Sequence, residues 1–264
     1  MMNTNAQLND QARSLFSDCT EAVDSGFRFA FQPVIDRRDG RTIGHEALVR
    51  GHNGESAASV ISAIAPENQL AFDQACRIRA LQTAADVGLK GDLHLNCSSI
   101  TPDNVAVAVA ATRESAIFSG IDPKRVVLEF GNLELLGTPS QLDRAHRIAR
   151  SAGFRVLADN VGSGEVGLKR LAVFRPSFAK LDRSLIRGIE SSPRRQAIVM
   201  GIVATCRALG IKVIAAGVEN AAEADWLERC GIEFAQGFHF GAPRIRSSAR
   251  RENPPLLQAA MSFI

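Results

Sequence analysis

The chain is 264 residues long, 45% hydrophobic and 22% charged, with a formal net charge of +3. That length suffices for one large core, and the charge is too small to argue for DNA or RNA as a partner. No stretch approaches a membrane helix and the first 18 residues hold no apolar signal core, so neither a membrane span nor secretion is expected.

Apolar positions Leu8, Ala12, Leu15, Phe16 and Ala22 recur at roughly helical spacing, which predicts a helical extension over residues 1–26. About 26 residues are too few to hold a sensor domain, so none is expected in this extension. From Phe27 the pattern changes to two strand-like runs, 27–35 and 42–49, joined by Asp39-Gly40, a strong hairpin signal. A polar segment, 51–58, leads into a helical region through Pro66 to about residue 87. Strands at 93–96, 126–130, 154–158, 178–181, 213–216 and 232–235 then alternate with helices near 103–118, 139–152, 193–209 and 220–229. In the 193–209 helix, Ile198, Ile202 and Cys206 sit four apart beside Val199 and Val203, predicting one buried stripe. Repeated strand–helix units argue for a parallel sheet, and some eight strands without a linker argue for a (β/α)8 barrel over residues 27–246. Residues 247–264 form a tail, and Arg244, Arg246, Arg250 and Arg251 read as a solvated charge run. Cys19, Cys76, Cys97, Cys206 and Cys230 are scattered without paired zinc spacing, so they read as buried thiols of a cytoplasmic protein. Any metal is left to carboxylates and amides.

Chemistry in such a barrel gathers at the C-terminal ends of the strands. There stand Glu46, Asn96, Glu129, Asp159, Asn160, Lys180, Glu219 and Gln236. Read alone, Asp159 and Asn160 ahead of Gly162-Ser163-Gly164 make a helix cap and turn. Read together, like charges on one rim repel unless a cation neutralises them. Oxygen-only ligands favour magnesium, manganese or calcium over zinc. Lys180 adds a positive charge that can orient a water or stabilise a phosphoryl oxyanion.

These residues resemble, in order over about residues 27 to 243, the motifs of the EAL family of cyclic di-GMP phosphodiesterases. Gln32-Pro33 and Glu46-Ala47-Leu48-Val49-Arg50 resemble its opening motif, Leu95-Asn96 its asparagine strand, and Leu128-Glu129 its metal-binding glutamate. Asp159 to Gly164 resembles its Asp-Asp-Phe-Gly-Thr-Gly loop, and Lys180-Leu181-Asp182 its lysine strand. Ala215 to Glu219 resembles its Ala-Glu-Gly-Val-Glu segment, and Gln236-Gly237-Phe238 through Pro243 its closing motif. The resemblance implies a TIM-like barrel whose first strand runs antiparallel. It implies that Glu46, Asn96, Glu129 and Asp159 surround one divalent cation (Mg2+ or Mn2+, with Ca2+ an inhibitory occupant), and that Asp159 is shared with a second. Lys180 and Glu219 would position the attacking water, and Gln32, Leu48, Arg50, Asp73 and Gln236 would contact the dinucleotide. Their alternative readings are a surface cation for Arg50 and a helix salt bridge for Asp73. The resemblance also suggests a homodimer.

Several positions depart from the family pattern. Asn160 replaces the second aspartate, Asn132 a loop-bracing glutamate, Ser163 a threonine, Ala216 a glutamate, and Glu165-Val166 an aromatic. Asn160 keeps a carbonyl oxygen but removes a full charge from the second cation's site. Two divalent ions about 4 Å apart need shared carboxylates. The expectation is a cyclic di-GMP receptor with impaired or absent hydrolysis that signals to a protein partner. The alternatives are a working phosphodiesterase giving the linear dinucleotide, and a protein-interaction module without nucleotide binding.

Overall fold

The computed structural model describes residues 27–164 and 167–246. The expected extension, the tail beyond Arg246 and Glu165-Val166 lie outside the described residues.

The hairpin forms where the sequence places it. β1 (Arg28–Asp36) and β2 (Thr42–Arg50) run antiparallel, with Gln32 opposite Glu46. Gly40 closes the turn at φ +73°, a conformation glycine adopts without cost. β3 (Asp92–Asn96), β4 (Val126–Phe130), β5 (Arg155–Val161), β6 (Phe178–Leu181), β7 (Lys212–Ala215) and β8 (Phe234–Ala235) come next, in parallel order. β1 pairs antiparallel with both β2 and β8, which closes an eight-stranded barrel with an antiparallel first strand. A two-residue β9 (Arg244–Ile245) adds to the outer part of β1.

Among the described residues, eight helices cover the strands: α1 (Ala57–Ser62), α2 (Gln69–Asp86), α3 (Val105–Phe118), α4 (Pro139–Ser151), α5 (Leu168–Phe174), α6 (Arg183–Ile186), α7 (Pro193–Ala208) and α8 (Ala221–Arg229). Thr138 with Gln141, and Asn220 with Glu223, form reciprocal capping boxes that fix where α4 and α8 begin. The α7 stripe needs one correction. Val199, Ile202, Val203 and Cys206 are buried, but Ile198 is 51% exposed. At about 100° per residue, Ile198 lies roughly 90° around the helix from the centre of that face. Spacing by four alone therefore mistakes a flank position for the core. α5, α6 and β9 are too short to show a period in the sequence.

Two apolar layers result. The larger joins the outward faces of the strands to the helices. The smaller fills the barrel interior with Val34, Val127, Leu157, Phe178, Ile214 and Phe234. Side chains alternate across a strand, so the residue two places further toward the rim faces the same interior. From Val34, Val127, Leu157, Phe178, Ile214 and Phe234 that step leads to Gln32, Glu129, Asp159, Lys180, Ala216 and Gln236. The apolar layer is thus the floor on which a polar ring stands. Cys97 and Cys206 are buried. Among the described residues, no helix is long and apolar enough to cross a membrane.

Candidate active site at the barrel rim

The polar ring is organised around the Lys180 ammonium. Its Nζ lies 2.6 Å from Glu129 Oε2, 3.2 Å from Glu46 Oε2 and 3.4 Å from Asp159 Oδ2. β2, β4, β5 and β6 each contribute one of these four groups, and the register of the sheet sets them side by side. Three carboxylates around one ammonium leave an excess of negative charge in a nearly water-free interior.

The surroundings push the three acids in different directions. Burial raises the Glu129 carboxyl, but Lys180 and a hydrogen bond from His94 outweigh it and hold the group down at about 2. Burial also raises Asp159, Lys180 counteracts, and the Glu129 and Glu46 charges raise it further, to about 7. Asp159 is weakly held by comparison: its Oδ1 accepts from the Asn160 backbone N–H at 2.8 Å, and of the three carboxylates it lies farthest from Lys180. Burial works against the charge on Lys180, but Asp159, Glu129 and Glu46 together raise it well above the usual lysine range.

Glu46 is held from two further sides. Gln236 Nε2 donates to its Oε2 at 2.8 Å, and Asn96 Nδ2 to its Oε1 at 3.3 Å. The same Gln236 nitrogen donates to Gln32 Oε1, and Gln32 Nε2 donates to the Gly241 carbonyl, so the closing segment is tied to β1. Gly237 sits directly against Val218: a Cβ there would stand 2.1 Å from the Val218 carbonyl oxygen. Only glycine permits that approach, which sets Gln236 beside the Glu219 loop.

A cavity of about 340 Å³ opens above the ring and is lined by Gln32, Glu46, Leu48, Arg50, Asp159, Asn160, Lys180, Glu219 and Gln236. The structure therefore brings together nine of the twelve residues singled out from the sequence. Glu129 lies just beneath, buried against Lys180. Asn96 and Asp73 line an adjacent cavity of about 280 Å³ under α1 and α2, which shares Glu46 and Leu48 with the first. Asp73 is committed to the fold: it forms a buried ion pair with Arg77 and accepts from the Ser98 and Ser99 backbone N–H groups at 3.2 and 3.4 Å. Arg77 Nη1 also donates to the Asn96 carbonyl at 3.2 Å, so this pair fixes the end of β3. The helix salt bridge weighed for Asp73 is present.

Asn160 adopts φ +55°, a left-handed conformation that asparagine tolerates better than most residues. Its Nδ2 faces Gly131, where a Cβ would come within 3.2 Å. Asn132 caps a short turn (Leu133–Leu136) by accepting from the Glu134 backbone N–H. That turn is tied to α5 by Arg170, which pairs with Glu134 and donates to the Leu133 and Gly137 carbonyls. Ala216 faces the cavity with only a methyl group.

Three contributors are missed by reading the sequence alone. Phe238, 66% exposed, and Arg183 line the same cavity. Glu223 accepts from the backbone N–H groups of Gly188, Glu219 and Asn220 and so sets the Glu219 loop. Its place three residues after Asn220 is a capping-box signal visible in the sequence.

Among the described residues, no three His, Cys, Asp or Glu side chains form a ready cluster for a metal ion. The carboxylates converge instead on the Lys180 ammonium. Their chemistry nevertheless fits a hard divalent cation: the donors are all oxygens, charge is in excess, and a positive centre is already accommodated.

The EAL domain family model matches residues 17–243. A standalone EAL protein from Vibrio cholerae, solved in a c-di-GMP-bound form, is 36% identical with a TM-score of 0.78 over 84% of this chain and 94% of that one. BlrP1 from Klebsiella pneumoniae, solved as a manganese/cyclic di-GMP complex, is 33% identical with a TM-score of 0.76 over 83% of this chain and 56% of that one. The antirepressor BluF of Escherichia coli is 29% identical over 82% of this chain and 54% of its own length. The cyclic di-GMP phosphodiesterase RocR of Pseudomonas aeruginosa is 28% identical over 86% of this chain and 60% of its own length. The chain spans a little over half the length of these curated relatives. With a closed barrel, the ring at its rim and a family match over most of its length, the chain belongs to the EAL domain family.

Proposed function

We propose that this chain binds cyclic di-GMP at the barrel rim and hydrolyses it slowly or not at all, acting as a cytoplasmic receptor that signals to a protein partner. The observation that carries this reading is the contrast within one cavity. Gln32, Glu46, Leu48, Arg50 and Gln236 stand together, whereas Asn160 sits beside Asp159 where a second carboxylate would be needed. The relatives solved with cyclic di-GMP support the ligand.

Arg50 presents a guanidinium suited to a phosphate or a guanine acceptor. Phe238 offers an exposed ring on which a base can stack. Glu46, Asn96, Glu129 and Asp159 would hold one divalent cation, Mg2+ or Mn2+, with Ca2+ as a non-productive occupant. When bound, that cation would polarise the phosphodiester and help generate a nucleophile. Lys180 and Glu219 would orient the attacking water. Asn160 offers one neutral oxygen to a second cation, and Ala216 offers none. The charge that would hold two ions together is therefore reduced, and turnover falls with it.

A working phosphodiesterase remains the second reading, because Glu46, Asn96, Glu129, Asp159, Lys180 and Glu219 are all present. We assign residues 27–246 to the barrel domain, with pairing of two copies as a further expectation. Calorimetry with cyclic di-GMP, with and without Mg2+ or Ca2+, tests the binding. The expected result is saturable binding that weakens at least tenfold in Arg50→Ala. No binding under any of these conditions would eliminate the receptor and enzyme readings together.

A further inference from the structure

One polar residue stands in the apolar floor of the barrel. His94 lies two residues before Asn96 on β3, and alternation turns both toward the interior. It is fully buried, its ring centroid 6.2 Å from that of Phe178, one of the floor residues. Its Nδ1 lies 2.8 Å from Glu129 Oε1. A carboxylate held ionised only accepts, so the hydrogen of this contact belongs to Nδ1. The other nitrogen, Nε2, is buried with no hydrogen-bond partner among the described residues.

Two facts about this placement are hard to reconcile with a purely structural role. A buried nitrogen without a partner costs stability, so packing alone favours an apolar residue at 94. Among the described residues the one polar contact the ring makes is to Glu129, and it engages the oxygen that Lys180 does not. Glu129 is thereby clamped, Oε1 toward the floor by His94 and Oε2 toward the rim by Lys180 at 2.6 Å.

We infer that His94 is a positioning residue for the cation site: it holds Oε1 of Glu129 so that Oε2 is presented to a divalent cation. This rests on the proposed role of Glu129 as a ligand. A histidine behind a ligating carboxylate acts as an orienting partner of the kind whose loss lowers metal affinity about 10- to 100-fold. It does so here from a layer to which six of the other strands contribute valine, leucine, isoleucine or phenylalanine.

The test is Mn2+ binding by the full chain, monitored by electron paramagnetic resonance with the metal alone. Four proteins are compared: the unaltered chain, His94→Leu, His94→Asn and Glu129→Gln. His94→Leu suits the apolar floor but leaves Glu129 Oε1 without its donor, so its melting temperature should fall while Mn2+ affinity falls at least tenfold. His94→Asn restores a donor near Nδ1 and should recover most of that loss. A purely structural role would lower the melting temperature and leave Mn2+ affinity unchanged. If the unaltered chain binds Mn2+, Glu129→Gln loses it and His94→Leu binds within threefold of normal, the positioning role is wrong while the cation site stands. Equal losses in His94→Asn and His94→Leu would also overturn it. If the unaltered chain binds no Mn2+, the cation reading itself fails and takes this role with it. Should His94→Leu not fold, His94→Phe carries the same comparison.

Discussion

Replacing Lys180 with methionine removes the one positive charge inside the ring and keeps the length and much of the bulk of the side chain. Lys180 is 4% exposed, and its ammonium faces three carboxylates at 2.6, 3.2 and 3.4 Å. At an effective dielectric constant near 20, each contact is on the order of 5 kcal/mol of gross attraction. Desolvation of the four groups cancels much of that. Removing one partner of a buried ion pair costs about 3–5 kcal/mol, because the remaining charges are left uncompensated. For a domain of this size that is a fall of roughly 6–20 °C in melting temperature. The assay is thermal melting of both proteins in the presence of a chelator and again with saturating Mg2+ or Ca2+. The metal-free variant should melt well below the unaltered chain, and the cation should raise its melting temperature by more than it raises that of the parent. The deficit should shrink as pH falls toward 7. Lys180 holds the Asp159 pKa down at about 7, so without it Asp159 takes up its proton at a higher pH in the variant than in the parent and removes one of the repelling charges there. An unchanged metal-free melting temperature, or a cation response no larger than the parent's, would refute the idea that Lys180 balances the ring.

The Asp73–Arg77 pair gives a second prediction. Arg77→Met leaves the Asp73 carboxylate buried, and urea denaturation should show a loss of about 3 kcal/mol or more. A double variant with Asp73→Asn should be less damaging than the two single losses added together. The Asp36–Arg38 pair at the hairpin makes a pH-dependent one. Hydrogen bonds from Arg38 hold the buried Asp36 carboxyl at about 2, below its unfolded value. A depressed carboxylate contributes stability above about pH 4 that is lost as pH falls toward 2. The gap in melting temperature between the unaltered chain and Arg38→Gln should therefore be full at pH 5 and closed near pH 2.

Most of the barrel is legible in the sequence because two local signals repeat along the chain. Asp39-Gly40 announces the hairpin, and short apolar runs separated by helical periods announce the parallel strands. The strand ends then locate the site residues, since a side chain's position along a strand determines whether it reaches the rim. The features that stay hidden depend on three-dimensional partners. The sequence assigns Lys180 to substrate or water, yet its nearest neighbours are the three carboxylates. Asp73 ranks with the ligand contacts by motif, and its pairing with Arg77, four residues on, is settled only in three dimensions. His94 shares alternation with Asn96 and still escapes notice; an inward histidine has no meaning until Glu129 is seen opposite. Ile198 misleads because spacing by four drifts around a helix and needs the i+3 neighbours to fix the buried face.

The central claim is that nucleotide binding survives in this chain while hydrolysis is limited at Asn160. The direct measurement mixes cyclic di-GMP with the unaltered chain and with Asn160→Asp, in excess Mn2+, and quantifies bound nucleotide and linear product in the same samples. Both proteins should bind, and Asn160→Asp should yield linear product at least tenfold faster. Rapid hydrolysis by the unaltered chain, not increased by Asn160→Asp, would contradict the account.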